Sequence, residues 1–316
     1  MMDQNSLHRH ATLLTWLRLM RLPTVFTALA NILCGFFVSS RERDLAVIVT
    51  QPWFWLLLVA SAGLYLGGMV LNDVFDAALD AKERPERPIP SGAISQTKAA
   101  VFGSLLMASG IAAAWFAGQT SQSGTASFSI AVILAAAVLL YDAVLKSTVL
   151  GPLGMGACRM LNILLGASCC GSMERVLANP QLTMAIALAV YVIGVTWFAR
   201  NEAGDSSRKA LRAGLVIAIA GISINLWAAY QSPSSAGTGA MIALLLIAAN
   251  VSIRCLKAIA ANQPGLLQKT VGFMLLNIIF MDAAMTFSVT GSSRLATMVV
   301  ILVIPATLMK RFIPLS

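Results

Sequence analysis

Charge is what this sequence has least of. Only 11% of its 316 residues are Asp, Glu, Lys or Arg, too few to cover the surface of an ordinary soluble domain. Histidine is scarcer still: His8 and His10 both lie in the polar N-terminal segment, so no imidazole is available to the body of the chain as a base or metal ligand. The five cysteines, Cys34, Cys158, Cys169, Cys170 and Cys255, fall within or at the ends of apolar stretches without CxxC or Cys/His spacing. They read as small packing residues, which excludes a zinc site or a disulfide framework.

What fills the chain is apolar: 58% of residues are hydrophobic. A bilayer span needs roughly 20 such residues, and about ten stretches qualify, near 19–39, 53–72, 99–118, 126–145, 151–171, 181–199, 211–230, 238–258, 269–290 and 295–312. The expected fold is an all-α, polytopic transmembrane bundle, one membrane-embedded domain over 1–316 with a polar tail at 1–18. The first stretch reads as an anchor and not as a cleaved signal, because further spans follow it. With ten spans and a cytoplasmic N-terminus, all the Lys and Arg residues outside the spans fall on the cytoplasmic side except Arg41, Arg43, Arg175 and Arg294. The net charge of +9 is therefore topological, a positive-inside signal, and nucleic acid is not needed to explain it.

Against this background one stretch stands out, LNDVFDAALDAKERPERPIPSG from Leu71 to Gly92. Asp73, Asp76 and Asp80 fall at i, i+3 and i+7, which on a continuous helix puts them on one face. Three carboxylates so placed repel one another unless a cation lies between them. Hard oxygen ligands suit Mg2+, which takes one or two protein carboxylates and completes its shell with water and substrate phosphate oxygens. Lys82, Arg84 and Arg87 supply positive charge for the same phosphates. The Arg-Pro-Ile-Pro-Ser-Gly run at 87–92 cannot hold a helix and reads as a stiff turn.

The pairing of NDxxDxxxD with RPIPSG resembles the UbiA family of intramembrane prenyltransferases. The resemblance implies Mg2+-dependent transfer of a prenyl group from an isoprenoid diphosphate to a hydrophobic or aromatic acceptor in the membrane, with Asp73, Asp76 and Asp80 holding metal. It also implies nine spans where the alternation of loop charge favours ten, which leaves nine or ten open, one of the ten stretches being either a full span or a split or interfacial segment. A second aspartate-rich segment is expected where this chain has WFARNEAGD. Here Asn201 and Asp205 keep the outer positions and Glu202 adds a carboxylate, but Phe198 and Ala199 stand where further aspartates are common.

The remaining polar residues in apolar stretches divide between packing and function. Asn31 lies at a depth where an unpaired amide is costly; it either bonds a neighbouring helix or, as the resemblance implies, lines the active chamber. Gly63, Gly67 and Gly68 let another helix approach the second span closely. Tyr141, Asp142 and Lys146 suit an interfacial aromatic and a local i, i+4 ion pair, whereas the resemblance gives Tyr141 and Lys146 to the substrate. Arg159, three residues before Asn162, is an intramembrane arginine and so a functional candidate, its structural alternative being an ion pair with Asp282. Arg18 and Arg21 read as interfacial anchors.

The expected site thus comprises Asp73, Asp76, Lys146 and Arg159 as catalytic residues and Asp73, Asp76, Asp80, Glu202 and Asp205 as metal ligands. Asn31, Asn72, Arg84, Arg87, Tyr141, Asn162, Arg200 and Asn201 are expected to contact substrate. The two acidic segments suggest two pseudo-repeated halves, about 19–145 and 151–312, and the site is expected at the cytoplasmic edge of a bacterial inner membrane. Two rival readings are a catalytically degenerate prenyl-diphosphate-binding or assembly protein and a transporter. A transporter normally keeps its polar site near the bilayer midplane, not at one edge.

Overall fold

The computed structural model of the protein describes residues 13–121, 124–200, 207–232 and 235–312. All regular structure among them is helical. After a 3-10 turn at Leu22–Thr24 come α1 (Val25–Ser39), α2 (Pro52–Phe75), the short α3 (Ala77–Glu83), α4 (Gln96–Thr120), α5 (Ala126–Ala143) and α6 (Gly151–Ala167). They are followed by α7 (Gln181–Ala199), α8 (Arg208–Tyr230), α9 (Ser235–Ala261), α10 (Pro264–Thr290), α11 (Ser293–Val300) and α12 (Val303–Phe312). Among the described residues nine helical segments are long and apolar enough to cross a membrane, so the chain is a multi-pass integral membrane protein. The helix limits follow local chemistry. Proline opens α2, α6 and α10, where its missing N–H costs nothing. The Ser95 side chain caps α4 through the Lys98 N–H, and Gly291, at φ 65°, closes α10 in a left-handed turn.

The tenth apolar stretch is not a continuous span. It breaks at Ile301–Leu302 into α11 and α12, because Pro305 has no N–H to offer the Ile301 carbonyl and its ring crowds that oxygen. Ile304 N–H bonds Ile301 O at 3.0 Å instead. Both pieces pack along the first span, α12 reaching the 3-10 turn at its start.

Packing is by small residues, as expected where lipid supplies no hydrophobic drive between helices. The most extensive pairings are α2 with α4 and α7 with α8. At Gly67 of α2 a Cβ would stand 2.8 Å from Gly103 O and 2.9 Å from Met107 N of α4, so only glycine allows this approach. Gly68 faces Val138 of α5 instead. The centre holds α1, packed on α2, α6 and α10, with Phe36, Phe37 and Phe54 among its fully buried rings. Leu105, Val216 and Leu246 point outward and exposed, a surface suited to lipid.

Candidate active site

The site is assembled at the edge of the bundle where α2 ends. Asp76 (φ −85°, ψ −2°) closes α2 and opens α3, so the three aspartates do not stand on one uninterrupted helix face. The backbone bonds survive the bend, Asp76 N–H to Asn72 O at 2.9 Å and Asp80 N–H to Asp76 O at 2.8 Å, but the carboxylates diverge to different cations.

The proline-rich turn takes one of those cations inward. Ile89 and Ile94 are buried with Leu19, Val70 and Ala99, Ile94 N–H bonds Pro88 O at 3.0 Å, and Gly92 supplies a left-handed residue at φ 76°. The pinned turn holds Arg87, 5% exposed, with Nη1 donating to Asp80 Oδ2 at 2.7 Å and lying 3.8 Å from Asp73 Oδ1. Asp80 is itself buried. Lys82 and Arg84 are exposed, and among the described residues neither makes an ion pair; the structure does not bring Arg84 to the cluster.

Two further cations come from elsewhere in the chain. Arg21 Nη2 donates to Asp73 Oδ1 at 2.8 Å, which makes this residue more than an interfacial anchor. Its backbone is left-handed, φ 47° and ψ 45°, a conformation costly for a side chain of this size and frequent at functional sites. Nothing in the sequence marks that strain. Lys146 does not pair with Asp142, because α5 ends at Ala143 and a 3-10 turn over Leu145–Ser147 redirects the chain. Its Nζ lies 2.7 Å from Asp76 Oδ1 and donates to Asn72 Oδ1 at 3.0 Å. Asn72 joins the parts, its Nδ2 donating to Asp73 Oδ1 at 3.3 Å and Asp76 Oδ2 at 3.2 Å.

Behind this cluster lies a small, largely apolar cavity of about 60 Å³ that opens to the surface. Tyr65, Gly68 and Met69 of α2, Tyr141 and Asp142 of α5, and Arg159 and Asn162 of α6 line it with Leu64, Leu134, Val138 and Met155. Gly68 and Met69 lie one helical turn before Asn72 and Asp73, so cavity and cluster share one helix. Arg159 is not in a direct ion pair with Asp282. Asn31 stands between them, its Nδ2 donating to Asp282 Oδ2 at 2.6 Å while its Oδ1 accepts from Arg159 Nη1 at 3.1 Å. Arg159 Nη2 donates to Thr27 Oγ1 at 3.1 Å, and its guanidinium carbon is 5.2 Å from the centre of the Tyr65 ring. Asn162 Nδ2 donates to Ala28 O at 2.8 Å, and its Oδ1 accepts from Ser61 Oγ at 2.8 Å.

At the end of α7, Arg200 Nη1 donates to Thr148 O at 2.5 Å, on the same edge as Lys146 but outside the carboxylate cluster. Asn201, Glu202 and Asp205 lie outside the described residues. Among the described residues no three His, Cys, Asp or Glu side chains gather as a metal cluster, since Arg21, Arg87 and Lys146 are interleaved with the carboxylates. Asp73 and Asp76, both on the Asn72 amide, nevertheless supply the hard oxygens, one or two carboxylates, that Mg2+ requires.

The class of protein defined by this fold is a multi-pass helical membrane protein with an ionic cluster at one edge. The UbiA prenyltransferase family model matches residues 24–207, more than half of the chain, and the protein belongs to that family. It is 38% identical over 127 residues to the digeranylgeranylglyceryl phosphate synthase of Methanoregula boonei, covering 36% of this chain and 43% of that one. To the synthase of the same name from Methanoculleus marisnigri it is 30% identical over 205 residues, covering 65% and 68%. The first match thus spans less than half the length of that relative. The fold is shared with a UbiA homologue from Aeropyrum pernix K1, at a TM-score of 0.64 and 20% identity over 83% of this chain and 96% of that one. It is shared also with a UbiA homologue from Archaeoglobus fulgidus bound to DMAPP and Mg2+, at a TM-score of 0.62 and 15% identity over 88% and 99%.

Proposed function

We propose that this protein transfers a prenyl group from an isoprenoid diphosphate to a hydrophobic acceptor in the membrane, with Mg2+ as cofactor. The observation that carries the reading is the joining of Asn72, Asp73 and Asp76 to Arg21, Arg87 and Lys146 directly above an apolar cavity. A ligand with a polyanionic head and a hydrocarbon tail matches both parts at once.

In this reading Asp73 and Asp76 hold the metal with Asn72, and Asp80 keeps Arg87 in place beside Asp73. Bound Mg2+ supplies positive charge that stabilises the departing diphosphate. Arg21 and Lys146, both partly exposed, exchange carboxylate oxygens for phosphate oxygens, and Arg87 adds a third cation. Arg200 adds positive charge at the end of α7, and Asn201, Glu202 and Asp205, which follow it in sequence, are assigned to substrate and, for the two carboxylates, to further metal binding. Leu64, Leu134, Val138 and Met155 exclude water while the allylic carbon carries cationic character. Tyr141, Arg159 and Asn162 border the reacting end, and Asn31 orients Arg159.

The positive-inside distribution supports a cytoplasmic N-terminus and a cytoplasmic site edge. The relatives compared above are archaeal and lend no support to a bacterial membrane in particular. Their name adds prenylated glyceryl phosphates to the hydrophobic or aromatic acceptors worth testing. The pairings of α2 with α4 and α7 with α8 support the reading of one domain in two repeated halves.

The test is binding of geranyl, farnesyl and geranylgeranyl diphosphates to the detergent-purified protein with and without Mg2+, beside the Asp73→Ala and Asp76→Ala variants. Binding that needs both metal and aspartates is expected. Equal binding in EDTA, or by either variant, would remove the proposal.

A further inference from the structure

The last third of the chain is unbalanced in charge. After Asp205 the sequence holds a single Asp or Glu, Asp282, and that carboxylate is buried and bonded to Asn31. Arg254 and Lys257 of α9 and Lys269 of α10 are exposed, and among the described residues none of the three makes an ion pair. They nevertheless line one groove of about 430 Å³ between α9 and α10. Arg254 and Lys257, at i and i+3, share a helix face. The Arg254 guanidinium is held in place, its Nε donating to Asn250 Oδ1 at 3.2 Å and its Cζ 4.1 Å from the centre of the Phe273 ring. Its two Nη groups have no partner among the described residues. Three like charges around one groove repel one another, and an anion between them relieves that repulsion.

The same seam continues as an apolar groove. On α9, Leu246, Asn250, Ile253 and Lys257 fall at spacings of three and four and form one stripe. Leu246 and Phe280 line a second groove of about 370 Å³ whose walls are apolar throughout. Leu246 stands eleven residues before Lys257, about 16 Å along the helix at 1.5 Å per residue. Because α9 ends at the edge of the bundle where α8 begins, Arg208 Nη2 donating to Ala260 O at 3.4 Å, the cations sit at a membrane interface and the apolar groove at hydrocarbon depth. We propose that the α9–α10 seam binds an anionic glycerophospholipid of the surrounding membrane, its phosphate between Arg254, Lys257 and Lys269 and an acyl chain along Ile253, Leu246 and Phe280. Basic grooves between membrane helices suit such head groups, and the Arg254 fork offers a phosphate two parallel N–H bonds. A zwitterionic lipid brings its own cation to the groove, and a free phosphate has nothing to lay along the apolar part. The site shares no residue with the ionic cluster or its cavity, and it does not rest on the prenyl-transfer reading. A lipid seated there ties α9 to α10.

The experiment uses the full chain in a non-ionic detergent without Mg2+. The probe is dioleoylphosphatidylglycerol, with dioleoylphosphatidylcholine as its zwitterionic counterpart and glycerol 3-phosphate as a head group without chains. Native mass spectrometry reads binding, and thermal unfolding reads its effect on the fold. One triple variant carries Arg254→Gln, Lys257→Gln and Lys269→Gln. A second, carrying Lys98→Gln, Lys209→Gln and Arg212→Gln, removes the same charge elsewhere on that edge. The wild type is expected to bind the anionic lipid at least about tenfold more tightly than the zwitterionic one and to melt higher in its presence. Each cation near an anionic lipid is worth about fivefold, so the first triple variant is expected to lose about 100-fold and its melting temperature to ignore the lipid. The second stays within about threefold of the wild type. Leu246→Asn is expected to cost about fivefold through the acyl chain, and a large excess of glycerol 3-phosphate to displace no lipid.

Equal affinity for the two lipids, or an equal loss in the two triple variants, would overturn the site and leave its cations as general interfacial charge. Displacement by glycerol 3-phosphate would overturn the lipid as occupant and make the groove a phosphate site. If the first triple variant unfolds in detergent alone, the pair Lys257→Gln and Lys269→Gln, which keeps Arg254 on Phe273, decides in its place. A loss of about 30-fold in that pair supports the site, and an unchanged affinity removes it.

Discussion

Lys146 Nζ lies 2.7 Å from Asp76 Oδ1 and makes no ion pair with Asp142, its neighbour at i−4. Because α5 stops at Ala143, a pairing that would have been local and structural becomes a link between two distant segments at the mouth of the cavity. The same turn leaves Asp142 lining the cavity without an ion pair.

Replacing Lys146 should therefore affect chemistry more than stability. The pair is about one-fifth exposed on each side, and ion pairs open to solvent contribute about 0–1 kcal/mol. Lys146→Met is expected to lower turnover with a prenyl diphosphate by about 100-fold or more and to move the melting temperature little. Steady-state kinetics beside thermal unfolding in detergent would show this; a large loss of stability with intact turnover would contradict it.

Arg18 and Arg21 separate two roles that look alike in sequence. Arg18 is exposed, while Arg21 reaches Asp73 at 2.8 Å. Arg21→Ala is expected to weaken Mg2+-dependent binding of geranylgeranyl diphosphate by about tenfold, the scale of one charge-assisted contact, and Arg18→Ala to leave it within about twofold. Similar effects from both would return Arg21 to the role of an anchor.

Metal dependence is the next expectation. Chelation with EDTA should abolish turnover, and added Mg2+ should restore it. Asp73→Asn and Asp76→Asn should shift the Mg2+ titration to higher concentration even where some activity survives, because the donor set loses charge but keeps an oxygen. A titration curve identical to that of the wild type would show that neither residue is a ligand.

The chain Asp282–Asn31–Arg159 yields a prediction about stability. All three residues are buried, and Asn31 is hydrogen-bonded to both of the others. Asn31→Leu leaves a carboxylate and a guanidinium without their shared partner, and is expected to destabilise the fold by about 3 kcal/mol, the scale of breaking a buried ionic contact. Thermal or denaturant unfolding of the purified variant measures it. A variant as stable as the wild type, with reduced turnover only, would make Asn31 a substrate contact with no structural share.

Much was legible from sequence alone, for a physical reason. Apolar runs of bilayer length force helices, because lipid offers backbone groups no partner, and the string from Asn72 to Gly92 has few other uses in such a chain. The membrane class, the family, the carboxylates and the closeness of α2 to a neighbour were all written locally. Whether the tenth apolar run spans was written there too, in Pro305, but hydropathy averages over a single missing N–H. Tertiary structure alone decided which cation meets which carboxylate: Arg87 turned inward while Arg84 stayed in solvent, Arg21 recruited through a left-handed backbone, Lys146 taken from Asp142 to Asp76. It also set Asn31 between Arg159 and Asp282 and left Asp142 unpaired. Such pairings depend on where helices end and how they cross, which are properties of packing between segments far apart in the chain.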